Sequence, residues 1–161
     1  QVIEEAASKT LVELRTIVGA LRDDEDAEPR AERAPQRGLN ALEQLGAAYP
    51  FDVQVSLRGE LKDLRPSVEA AIYRLAQESV TNAARHAKDV STVTVDVFGD
   101  AEEIRIVIAD DGAALVHPPR AGGFGLAGME ERAFLLGGTF TAGPGPERGW
   151  RVESVLPRNA K

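Results

Sequence analysis

Cysteine is absent from the 161 residues. That excludes disulfides, Cys-ligated zinc and thiol catalysis, and it is compatible with a reducing compartment. Long apolar runs are missing too. Stretches such as Ile104 to Ala109 are interrupted by charge and are far too short to span a bilayer. No basic segment followed by an apolar one opens the chain, so no signal peptide is visible. A start at Gln1 without an initiator Met is what a processed or excised fragment would have. Positive charge is in deficit, with 19 Lys and Arg against 26 Asp and Glu and a net charge of −7. This argues against bulk electrostatic binding to nucleic acid or to an anionic membrane. A small anionic ligand stays open, provided that basic side chains, a helix N-terminus or a metal ion offset the surrounding field.

What is present is an ordinary globular composition, 43% hydrophobic and 28% charged. The length suits one domain with an appendage, and a domain of this size buries roughly 68–70% of its unfolded surface. Residues 1–22 carry Ile3, Ala7, Leu11, Leu14, Val18 and Leu21 at three- and four-residue spacing, an amphipathic helix. Its apolar stripe wants a partner, in another chain or a missing segment, or else it folds back onto the main domain. Residues 23–37 are mostly charged, contain two prolines and lack branched aliphatic or aromatic side chains, which makes them a linker.

From Gly38 to Lys161 the pattern is that of a folded domain. Leu39, Leu42 and Leu45 predict a short helix ending near Gly46, and the alternation of Phe51 to Arg58 predicts a strand. Pro66 opens a long helix to about Ala87. Strands over Thr92–Phe98 and Glu103–Ala109 are joined by a hairpin turn, and Gly112–Gly125 reads as a loop. A helix from about Leu126 to Leu136 and strands at Thr139–Ala142 and Trp150–Leu156 complete the chain. Helices on one face of a largely antiparallel sheet make an α+β fold, a two-layer sandwich.

Three places carry a surplus of chemistry. On the long helix Glu78, Asn82 and His86 follow at steps of four, with Arg85 and Lys88 nearby. A carboxylate, an amide oxygen and cations on one face suit Mg²⁺, which takes oxygen ligands and shares them with substrate phosphates. An ordinary solvated stripe has the same look. The strand ending in Asp110-Asp111-Gly112 sets a carboxylate at the sheet edge beside a backbone open to close approach, where it could accept a hydrogen bond from an exocyclic amine. A plain turn also ends in Asp-Gly. Gly122 to Met129 is a glycine-rich loop entering a helix whose N–H groups could hold phosphate. It is not a P-loop, because GxxxxGK[ST] does not occur in the chain.

The order of the three is more specific than any one. Glu78-x-x-x-Asn82 on a helix, then Asp110-x-Gly112 ending a strand, then Gly123-Phe124-Gly125-Leu126 opening a helix resembles the N, G1 and G2 boxes of the GHKL ATPases. The stretches Gln77 to Ala87 and Gly123 to Arg132, followed by Leu136-Gly137-Gly138, are similar to sensor histidine kinases of the nitrate-sensor-like branch. The resemblance covers about Gly38 to Pro157. It implies the Bergerat ATP-binding fold, with residues 1–22 similar to the second helix of a dimerisation and phosphotransfer domain. It also implies roles. Asn82 matches the Mg²⁺-binding asparagine, and Glu78 matches the glutamate that helps hold metal-bound water or polarises the attacking group. Asp110 matches the reader of adenine N6, and Gly112 leaves room for the base. Gly123 and Gly125, with Leu126 after them, match the lid residues that pass the phosphates, and Arg85, His86 and Lys88 match phosphate-facing basic groups.

Two positions depart from the family pattern. Ala114 stands where a second G1 glycine is usual, and Glu130 stands where the branch often has a basic residue. The family's phosphoacceptor histidine is followed by an acidic residue, yet His86 precedes Ala87 and His117 precedes Pro118. The resemblance therefore implies a catalytic ATP-binding domain that does not autophosphorylate alone. In an intact, cytoplasmic, homodimeric kinase it would use Mg²⁺ and ATP to phosphorylate a histidine helix for relay to a response regulator, without nucleic acid or direct membrane contact. The alternatives are a degenerate nucleotide-sensing module and a serine protein kinase of the anti-sigma-factor type.

Overall fold

The computed structural model describes residues 38–113 and 124–159. The expected helix over 1–22 and the linker over 23–37 lie outside the described residues, as do Ala114, His117 and Gly123. The described chain opens with a 3-10 helix, Leu39–Ala48. Its buried leucines, Leu39, Leu42 and Leu45, are spaced by three, and a winding of three residues per turn puts them in one line. The element order continues β1 (Asp52–Gly59), α1 (Pro66–His86), β2 (Thr92–Gly99), β3 (Glu103–Asp110), α2 (Phe124–Leu135), β4 (Thr139–Pro144) and β5 (Trp150–Pro157).

The five strands form one sheet in the order β1-β2-β3-β5-β4. Three of the neighbouring pairs are antiparallel, as expected, but β1 and β2 run parallel from Asp52↔Thr92 to Gly59↔Gly99. A parallel pair needs a long crossover, and α1 supplies it. Strand alternation sorts the faces. Val93, Val95, Val97, Ile104, Ile106, Ile108, Val152 and Leu156 point to the helix side and are buried. The opposite face carries surface ion pairs, Arg58–Asp96 at 3.7 Å and Arg105–Glu153 at 3.2 Å. Such exposed pairs add little stability but keep this face wet. The result is the expected two-layer sandwich.

Pro66 occupies the first turn of α1, where its missing N–H costs no helical bond. Val68, Ile72, Leu75, Ala76 and Val80 are buried against the sheet, while Arg85 and His86 in the last turn suit the negative end of the helix dipole. Tyr49 ties the 3-10 helix to α1 through a 3.0 Å bond to Thr81 Oγ1. Helix α2 docks beside α1 through buried Met129, whose sulfur accepts from Ser79 Oγ at 3.7 Å. Gly137, at φ +75°, ends this helix, and the next N–H, of Gly138, bonds back to Ala133 O at 2.9 Å.

Candidate functional site

The buried stripe of α1 gives way in its C-terminal half to polar residues that still face structure. Glu78 and Asn82 are half-buried, one helical turn apart. Opposite them lies the first turn of α2. A Cβ built on Gly125 would stand 3.6 Å from both Asn82 Oδ1 and Nδ2 and 3.7 Å from Glu78 Oε2. The absence of a side chain there leaves the two oxygen donors uncovered. Leu126, the next residue, turns partly into the core and anchors that turn. Helix α2 starts at Phe124, two residues before the sequence expectation, so Gly125 is helical and not part of the loop.

The second motif meets the same helix. β3 ends at Asp110 and the chain goes on to Asp111 and Gly112, where a Cβ on Gly112 would lie 2.9 Å from Ala87 Cβ and 3.1 Å from Lys88 O. Lys88 and Ala113 form an isolated antiparallel bridge, with Ala113 N donating to Lys88 O at 2.7 Å. Both glycines therefore approach the C-terminal half of α1 or the residues just past it. Arg85, His86 and Lys88 are exposed at this end.

The neighbouring aspartates have opposite electrostatics. Asp111 accepts from the Ser91 hydroxyl, from Thr92 N at 3.0 Å and from Ser91 N at 2.8 Å. The Ser91 hydroxyl bond contributes most to holding its carboxyl down at about 2, and the Arg148 charge adds a little. Asp110 goes the other way. Burial pushes its carboxyl above the usual range, against backbone N–H bonds from Gly112 and Trp150; the Asp111 charge raises it further and Arg148 opposes. The Gly112 bond is 2.9 Å long. A carboxylate has about four acceptor sites, so the Gly112 bond leaves Asp110 able to accept more.

The Gly/Pro turn between β4 and β5 was expected from sequence, but its contact with Asp110 and Gly112 was not. Arg148 Nε donates to Gly112 O at 3.3 Å, and the Trp150 backbone N–H helps to hold the Asp110 pKa down. Gly149, at φ +73°, nests so closely that any Cβ would collide with the Asp110 carbonyl oxygen. A Gly/Pro-rich turn containing the chain's one Trp was the available signal.

The donors next to Gly125 are hard oxygens, the set that Mg²⁺ accepts. Among the described residues no group of three or more His, Cys, Asp or Glu could hold a metal ion by itself. An ion at Glu78 and Asn82 would therefore need further oxygens, as phosphates and water supply. Among the described residues no helix is long and apolar enough to cross a membrane.

Known proteins are similar to this chain in sequence and fold. The chain is 32% identical over 161 residues to the signal transduction histidine-protein kinase/phosphatase UhpB of Salmonella typhimurium, a match over 98% of this chain and 31% of that protein. It is 38% identical over 95 residues to the sensor histidine kinase YxjM of Bacillus subtilis, covering 57% of this chain and 22% of the other. The chain thus spans less than a third of the length of these curated relatives. A blue-light activated histidine kinase of Erythrobacter litoralis shares the fold, with a TM-score of 0.59 at 20% identity over 76% of this chain and 43% of that one. Residues 67–160, more than half of the sequence, match the family of histidine kinase-, DNA gyrase B- and HSP90-like ATPases, and the chain belongs to that family.

Proposed function

We propose that the chain is the catalytic, ATP-binding part of a sensor histidine kinase. The observation that supports this most is the convergence of Gly112 and Gly125, from separate motifs, on the C-terminal half of α1 and the residues just after it. Asp110 accepts the exocyclic amine of adenine, and Gly112 lets the base approach. Glu78 and Asn82 supply oxygen donors to Mg²⁺, which when bound neutralises phosphate charge. Arg85, His86 and Lys88 counter the remaining negative charge, which reconciles an acidic chain with an anionic ligand. Gly125, without a side chain, leaves Glu78 and Asn82 open to the phosphates. Glu78 also orients or polarises the attacking group. Phosphoryl transfer requires mostly positioning and charge compensation, which such a set can supply.

The acceptor is a histidine on a separate helix of a homodimeric parent kinase, and the final acceptor is an aspartate of a response regulator. Because ATP and the regulator are intracellular, the site works in the cytoplasm. The test supplies a histidine-bearing dimerisation segment in trans, with Mg²⁺ and γ-labelled ATP. Acid-labile label on that segment, dependent on its histidine and on Glu78, is expected. Acid-stable label on serine would overturn the histidine-kinase reading in favour of a serine kinase. No transfer despite saturable ATP binding would leave a nucleotide-sensing module.

A further inference from the structure

We propose that Trp150 forms a wall of the base pocket, its indole lying against the nucleobase that Asp110 reads. The inference rests on the ATP-binding reading above and adds a residue to it. Strands β3 and β5 pair up to Ala109↔Arg151, so one step further sets Asp110 across from Trp150. The backbone agrees, since a Cβ on the preceding Gly149 would stand 3.0 Å from Asp110 Oδ1. Alternation puts both residues on the side of the sheet shared by Ile108 and Val152, which faces the helices. Trp150 packs against the core but is only partly buried, so part of the residue stays accessible. Gly149 holds the two strands close here, because its backbone rests directly on the Asp110 carbonyl.

The chemistry is complementary. A carboxylate reads the edge of a base but offers almost no contact area, whereas an indole offers a broad apolar π-face. Aromatic contact with a base contributes roughly 1–3 kcal/mol by alanine substitution, or about fivefold to more than a hundredfold in affinity. Among the described aromatics, Tyr49 and Phe51 stack on each other with centroids 5.3 Å apart, and Tyr49 also bonds Thr81. Trp150 is the aromatic side chain that the sheet register brings next to Asp110.

The chain holds a single tryptophan, which makes the test direct. The full chain is titrated with Mg²⁺ and a non-hydrolysable ATP analogue, following calorimetry and tryptophan emission together, with acrylamide as quencher. We expect emission to shift and quenching to fall in step with saturation, while Mg²⁺ tripolyphosphate, which lacks a base, causes neither. Trp150→Ala should weaken the analogue about tenfold, and Trp150→Phe should retain most of the affinity. Saturable calorimetric binding with unchanged emission and quenching would overturn the proposal, even if Trp150→Ala does not fold. So would a folded Trp150→Ala that binds like the parent. No calorimetric heat at all would instead overturn the ATP-binding reading, and this one with it.

Discussion

The two ends of the β2–β3 hairpin use aspartate in opposite ways. At the turn, Asp100 Oδ1 accepts the N–H groups of Glu102 and Glu103 at 2.8 Å each, and these bonds hold its carboxyl below the usual range. Arg158 closes the same end, donating to Glu60 O at 2.6 Å, to Asp100 O at 3.1 Å and to Lys62 O. Polar groups there satisfy one another. At the far end Asp111 is likewise consumed by Ser91 and Thr92. Asp110, beside it, is the aspartate that burial pushes upward. A carboxylate whose pKa is raised by burial and which has acceptor sites to spare suits the base-reading role proposed for Asp110.

The sharpest way to break this contrast is Asp110→Asn. ATP affinity should fall about a hundredfold, consistent with a lost hydrogen bond to a charged group, and the preference for ATP over GTP should vanish in calorimetry. The fold should not suffer. The raised carboxyl contributes stability that is fully present below its unfolded value of 3.8 and is lost as pH rises through its folded pKa, so the neutral amide should match or raise the melting temperature at neutral pH. A retained ATP preference would assign base reading to another group.

Asn82→Ala should remove the Mg²⁺-dependent part of nucleotide affinity, about tenfold or more, while binding without metal changes little. Equal affinity gains from Mg²⁺ in parent and variant would contradict the metal role. Gly112→Ala tests how tightly this end is packed. The new methyl would stand 2.9 Å from Ala87 Cβ and from Asp110 Oδ1, and overpacking of that kind costs about 1–3 kcal/mol in denaturant unfolding. Arg158→Ala belongs to the closed end and should cost about 1–2 kcal/mol of stability with unaltered nucleotide affinity. A loss of affinity there would mean that the two ends are coupled.

The smallest effect is expected from Asp111→Asn. Because its folded pKa is depressed to about 2, Asp111 stabilises fully above its unfolded value near 3.8, and that contribution disappears as pH falls towards 2. The carboxyl sits at the surface and is screened by solvent, so the amount is below about 1 kcal/mol. Acid unfolding curves of parent and variant should converge near pH 2 and separate above about pH 4.

Elements whose own residues define a face were legible in the sequence. The stripe of α1, the alternation of β2 and β3 and the Asp100 turn all rest on near neighbours, and each stands where the pattern put it. Pairings between distant segments were not. Nothing in the alternation of Asp52–Gly59 says that β2 is its neighbour or that the two run parallel. The same holds for the site. Glu78, Asn82, Asp110 and Gly112 could be proposed from sequence because each sits in a compact local motif. Trp150 and Arg148 reach Asp110 and Gly112 only through the β3–β5 register, and in sequence their turn looked like a connector.

The most direct single measurement is calorimetric titration of this chain with a non-hydrolysable ATP analogue, with and without Mg²⁺, and with the matching GTP analogue. The expected result is saturable binding that prefers adenine and strengthens with Mg²⁺. No heat at millimolar nucleotide, or equal affinity for the two bases, would contradict a nucleotide site built on Asn82 and Asp110.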